Sequence, residues 1–212
     1  VVDIGGGSTE LVWIDLTNVP SRERPRAIMR LHSGFRQDPG PFAAAKVVDW
    51  ISVPLGVATL RDQFADVEDD SARFALMSWF FEESLEKFAP SAQEQVREGF
   101  QIVGTSGTVT TVAASHLGLR RYDRTKVDGL RMTSDQINSV IHGYLKLGEA
   151  GRKADPRIGK DRQALIMSGA AILQTLMRLW PTDRLSVADR GLREGLLYQQ
   201  MSAHGVLEDA PY

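Results

Sequence analysis

Asp3, Glu10 and the run Gly5-Gly6-Gly7-Ser8-Thr9 between them are the residues of this chain best suited to chemistry, and all lie within its first ten positions. Three consecutive glycines cost a hairpin backbone entropy that a plain turn, needing one or two, avoids. What they provide is a series of peptide N–H groups with no Cβ to hold a ligand away, an arrangement that binds anions. Asp3 alone would repel a phosphate, but it fits if a divalent cation stands between them, directly or through a metal-bound water. Glu10 reaches the same region if the two acids sit on the arms of a tight antiparallel hairpin. A second glycine-rich stretch, GTSGT (104–108), separates a strand-like from a helix-like segment. There a helix N-terminus adds unpaired N–H groups and partial positive charge, and Thr105, Ser106 and Thr108 add hydroxyls. Two such turns in one sheet point to a polyphosphate-type ligand; the plainer readings are a flexible hairpin and a simple helix cap. In DRGLREG (189–195), Arg190 and Arg193 either contact phosphate or pair with Asp189 and Glu194.

The elements that must position these residues follow from the spacing of apolar side chains. Residues 1–5 and 9–16 predict two strands joined at Gly5–Ser8. Residues 17–47, rich in proline and arginine, read as a long excursion with one weak strand-like run, Ala27–Leu31. A third strand over 48–56 is punctuated by Pro54-Leu55-Gly56, and 57–64 is a short helix. The spacing predicts a longer helix over 71–88, capped by Ser71, with Phe74, Met77, Phe81, Leu85 and Phe88 on one face. Residues 100–104 form a strand, and the helix after the second turn closes at Gly118. Residues 120–131 read as a polar connection. Thr133 and Gln136 have capping-box spacing at the head of a helix that carries Ile137, Val140, Ile141, Tyr144 and Leu145 on one face. Residues 160–180 predict a helix throughout, bent at Gly169; 184–189 predict a buried strand and 192–204 a closing helix. The order implies an α/β layer fold with a mixed five-stranded sheet, in a single domain over 1–212.

Composition excludes several chemistries. The 212 residues are 42% hydrophobic and 25% charged, with a net charge of −2 that offers no global attraction to nucleic acid or a membrane surface. No cysteine is present, which excludes disulfides, thiolate catalysis and thiolate-bound metals and suits a reducing cytoplasm. His32, His116, His142 and His204 are scattered, with no metal-ligand spacing. The longest apolar stretch, 164–177, is too short and too polar to span a bilayer and reads as a buried helix.

DIGGGSTEL (3–11), VGTSGT (103–108) and RGLREGLL (190–197), in this order and with DRQALIMSGAAIL (161–173) before the last, resemble the exopolyphosphatase and guanosine pentaphosphate phosphohydrolase (Ppx/GppA) family. The resemblance covers the chain except 17–47. It implies the ribonuclease H-like fold of the actin-like ATPase superfamily, whose core is two such domains around a cleft. It further implies that this chain is the second domain, without the first domain and its own catalytic glutamate. By motif match Asp3 is the metal-linked and catalytic acid, with Mg²⁺ as the ion, and Glu10 is a catalytic carboxylate. Gly5, Gly6, Gly7 and Ser8 form the phosphate grip, and Gly104, Thr105, Ser106 and Gly107 line the phosphate side of the cleft. The implied reaction removes a terminal phosphate from polyphosphate or guanosine pentaphosphate, and family members commonly dimerise. A nucleotide-driven switch and a sugar or acid kinase are the alternatives within the superfamily. STEL after the glycines speaks against the switch, because the similar chaperone ATPases carry a threonine and then an aspartate there.

Overall fold

Val2 and Ile4 are buried while Asp3 between them is half-buried, the period-two alternation of a strand with one covered face. This strand, β1 (Val2–Ile4), pairs antiparallel with β2 (Thr9–Asp15) across the glycine turn. In the computed structural model, which describes residues 1–24, 27–28, 45–86, 88 and 99–206, β3 (Lys46–Val53) pairs antiparallel with β2. On the other side of β1, β4 (Ile102–Thr105) runs parallel to it, and β6 (Leu185–Ala188) runs parallel to β4. The short β5 (Arg131–Met132) closes that edge antiparallel to β6, so the order is β3-β2-β1-β4-β6-β5.

The helices in chain order are α1 (Val57–Gln63), α2 (Asp70–Glu83), α3 (Gly107–His116), α4 (Arg124–Val127), α5 (Ser134–Ala154), α6 (Ile166–Leu179) and α7 (Leu192–Ala203). α3 lies on β1, β4 and β6, and α6 packs against α1, α2, α3 and α5. The apolar stretch that the sequence marks as a buried helix is therefore the centre of the helical layer. Ala170, Ala171, Ile172 and Leu176 on α6 have no solvent exposure.

The structure revises several expected boundaries. The sheet has six strands, because the 120–131 connection holds α4 and leads into β5. Two apolar residues in that polar neighbourhood, Val127 and Met132, are the buried anchors, too few to show a period. The cap of α2 is Asp69, whose carboxylate accepts from Ala72 N at 2.7 Å, rather than Ser71. Leu85 and Phe88 stay buried although α2 ends at Glu83, so the apolar stripe outlasts the helix. Residues 160–180 are not helical throughout: a 3₁₀ turn, Lys160–Arg162, precedes α6. Gly169 does not bend α6; a Cβ there would lie 2.2 Å from Thr108 Oγ1, so the glycine permits α3 and α6 to touch. Ala27 and Ile28 are helical, and the rest of the strand-like run Ala27–Leu31 lies outside the described residues. The capping box at α5 forms as expected: Gln136 N donates to Thr133 Oγ1 at 3.2 Å, and Thr133 N to Gln136 Oε1 at 3.0 Å.

Candidate active site

Strand register gathers the chemistry. Ser52, Glu10, Asp3, Thr105 and Ala188 are successive cross-strand partners on β3, β2, β1, β4 and β6. Directly paired residues project to the same face of a sheet, so this row lies opposite the face where Val2, Ile4 and Leu11 are buried. The expected meeting of Asp3 and Glu10 is thus a matter of direct pairing in the hairpin.

The glycine turn is held from behind by α1. Gly5 O accepts from Val57 N at 2.9 Å, and Gly6 O from Ala58 N at 2.8 Å. In a trans peptide the C=O and the N–H point in opposite directions. The N–H groups of Gly6 and Gly7 therefore point away from α1, and both residues are exposed with no atom within 4 Å of where a side chain would begin. Gly5 does a different job: its N–H donates to Ser8 O at 2.9 Å and closes the hairpin. The close fit depends on Gly56, where a Cβ would lie 2.5 Å from Gly5 O and Gly6 C. Gly56→Ala is expected to push the turn off α1, lowering stability by about 1–3 kcal/mol as overpacking does and weakening phosphate binding. Thermal melts and a ³¹P phosphate titration of the variant check both effects.

Glu10 is held by two hydroxyls. Ser8 Oγ donates to Glu10 Oε1 at 2.5 Å, and Ser52 Oγ donates to the same oxygen at 2.9 Å. Asp3 beside it is half-buried, and its carboxyl is pushed above the ordinary range, first by burial and then by the negative charge of Glu10. An acid whose ionisation is made costly by burial and by a neighbouring carboxylate fits a place for a cation. Among the described residues no group of three or more His, Cys, Asp or Glu side chains could hold a metal.

At the second turn, Ser106 takes φ +93°, a strained conformation for a residue with a Cβ. Its Oγ is buried with no partner among the described residues, and it caps none of the first N–H groups of α3. A Cβ on Gly107 would sit 2.2 Å from the guanidinium carbon of Arg162, so Arg162 lies over the first turn of α3. The Thr105 hydroxyl donates to Arg190 O at 3.0 Å and ties β4 to the turn before α7. Gly104 departs from its expected place: it is buried, with Val109 Cγ1 3.1 Å from its would-be Cβ, and it serves the packing of α3 on β4.

Asp3, Thr105, Ser106 and Gly107 share a cleft of about 660 Å³ with Arg157, Arg162, Arg190 and Arg193. Asp189 pairs with Arg124 at 2.9 Å, and Glu194 accepts from Gly191 N at 2.8 Å. Arg157 pairs with Asp155, whereas Arg162, Arg190 and Arg193 form no ion pair among the described residues. Sequence reasoning missed Ser52, Gly56 and Arg162 as site residues. The first two stand at the end of an expected strand, and Arg162 within an expected continuous helix. No helix among the described residues is long and apolar enough to cross a membrane.

Known proteins share this architecture. A guanosine-5'-triphosphate,3'-diphosphate pyrophosphatase of Aeromonas salmonicida is 26% identical over 199 residues, which cover 93% of this chain and 33% of that protein. The crystal structure of the Aquifex aeolicus member of the Ppx/GppA protein family is 27% identical with a TM-score of 0.67, covering 96% of this chain and 56% of that one. An exopolyphosphatase from Cytophaga hutchinsonii, 18% identical, shares the fold with a TM-score of 0.63 over 95% of this chain and 56% of its own. The chain thus spans from a third to just over half of these relatives. Its mixed six-stranded sheet with flanking helices is the ribonuclease H-like sheet of the actin-like class. Residues 1–204 match the model of the Ppx/GppA phosphatase family, and with the signature turn, the second turn and the final strand-helix junction in their places, the chain belongs to that family.

Proposed function

We propose that this chain is the phosphate-holding lobe of a cytoplasmic hydrolase that removes the terminal phosphate from linear polyphosphate or guanosine pentaphosphate. The observation that carries the reading is the pairing of Asp3 with Glu10 beside a turn whose exposed Gly6 and Gly7 turn their N–H groups away from α1. Those amides and the Ser8 hydroxyl hold the terminal phosphoryl oxygens, with Gly5 keeping the turn closed. Ser106 Oγ and the N-terminal N–H groups of α3 at Gly107 offer a second anion position in the cleft, with Thr105 bracing it. Arg162, Arg190 and Arg193, which form no ion pair among the described residues, take the phosphates that follow the terminal one. The oxygen of Glu10 that Ser8 and Ser52 leave alone accepts the proton of the attacking water. Asp3 fits a hard divalent cation such as Mg²⁺, which when bound would neutralise charge on the transferred phosphoryl group.

The same reading places the other wall of the cleft in a further domain, in keeping with the greater length of the relatives, and allows a homodimer of the whole protein. The test is phosphate release from long polyphosphate, guanosine pentaphosphate and ATP in direct competition. The full-length protein is expected to prefer the first two, while the 212 residues alone bind phosphate weakly and hydrolyse negligibly. A preference for ATP with slow single turnovers would replace the hydrolase by a nucleotide-driven switch, and robust hydrolysis by this chain alone would remove the need for a second wall.

A further inference from the structure

Glu10 Oε1 accepts both of its hydroxyl hydrogen bonds, from Ser8 and from Ser52, which leaves the other carboxylate oxygen for water. The two donors are not equivalent. Ser8 lies in the phosphate-holding turn, and a hydroxyl has one proton to donate. When that proton goes to a phosphoryl oxygen, Glu10 loses one of its two restraints at the moment its orientation matters. Ser52 lies outside the turn, as the direct partner of Glu10 on β3. It is followed by buried Val53 and by Leu55, whose carbonyl accepts from buried Thr9 at 2.7 Å. The backbone that carries Ser52 is therefore clamped to the strand that carries Glu10. Ser52 itself is exposed, so its side chain has no packing duty that would explain it.

We infer that Ser52 is the positioning residue of Glu10, the hydroxyl that keeps the carboxylate aligned with the attacking water after Ser8 turns to the substrate. This rests on the reading of Glu10 as proton acceptor. In the full-length enzyme Ser52→Ala is expected to lower kcat about ten-fold, as loss of alignment does, with KM and the melting temperature unchanged. Ser52→Thr keeps the hydroxyl, suits an exposed strand, and is expected to restore most of kcat. In a Glu10→Gln background Ser52→Ala should have no further effect. Unchanged kcat in Ser52→Ala, or a loss confined to KM, overturns the inference, as does an equal loss in the threonine variant. The two levels separate cleanly: wild-type turnover in Glu10→Gln defeats the reading of Glu10 itself. An inactive Glu10→Gln beside a fully active Ser52→Ala defeats the role of Ser52 alone.

Discussion

Glu10→Gln is expected to lower turnover of the full-length protein by about two to four orders of magnitude, the range for loss of a positioned proton acceptor, while phosphate affinity stays within a few-fold. The substitution is nearly isosteric, and the two hydroxyl donors decide how the new amide sits. Ser8 and Ser52 both donate to Oε1, so the amide oxygen occupies that position and the NH₂ faces the attacking water. An NH₂ group in that place donates a hydrogen bond and takes no proton. Binding is spared because the phosphate contacts come from the Gly6 and Gly7 amides. The glutamine also removes the charge that helps to push the Asp3 carboxyl upward, so the folded chain is expected to gain stability as it loses activity. Steady-state phosphate release, set beside a phosphate titration and a melt of the same variant, checks all three; unchanged turnover would take Glu10 out of the chemistry.

Arg152→Met is expected to destabilise the fold by about 1.5–3 kcal/mol, the range for hydrogen bonds to a charged group, since Asp70 is only partly buried and keeps Arg73 at 3.2 Å. The Arg152 side chain is 3% exposed, and its Nη1 and Nη2 reach the two oxygens of Asp70 at 2.7 and 2.8 Å. Nη1 also donates to Tyr144 O at 2.9 Å, just before Gly148 interrupts α5 with φ +62°. One guanidinium thus fastens the interrupted α5 to the first turn of α2, and methionine fills the volume without those bonds. The pair adds a pH dependence. The Arg152 hydrogen bond, aided by its charge and by Arg73, holds the Asp70 carboxyl below its ordinary range against the opposing effect of burial. A carboxylate whose folded pKa is depressed stabilises fully above its unfolded pKa, about 4, and loses that contribution as pH falls through the folded value. Urea midpoints measured from neutral pH to pH 2 should therefore fall more steeply for the native chain than for the variant. Equal midpoints at neutral pH would show that the pair contributes nothing.

What could be read from the residues alone was what forms within a few positions along the chain. The hairpin of β1 and β2 pairs across a four-residue turn, so Asp3, the glycines and Glu10 were already neighbours on paper. The capping box of Thr133 and Gln136 and the left-handed Gly118, φ +66°, are equally local. Tertiary structure alone decided the rest, because the determining contacts join distant segments. Ser52 meets Glu10 across 42 positions, and their meeting depends on how β3 registers against β2. The outward direction of the Gly6 and Gly7 amides comes from α1 gripping the carbonyls behind them. β5 exists only as a partner of β6, two residues long, below the length at which alternation shows. Arg162 left its expected helix because the chain makes a 3₁₀ turn before α6, which lays the guanidinium over the N-terminus of α3. Apolar spacing names the covered face of each element, whereas strand register and helix docking choose which polar groups meet on the open one.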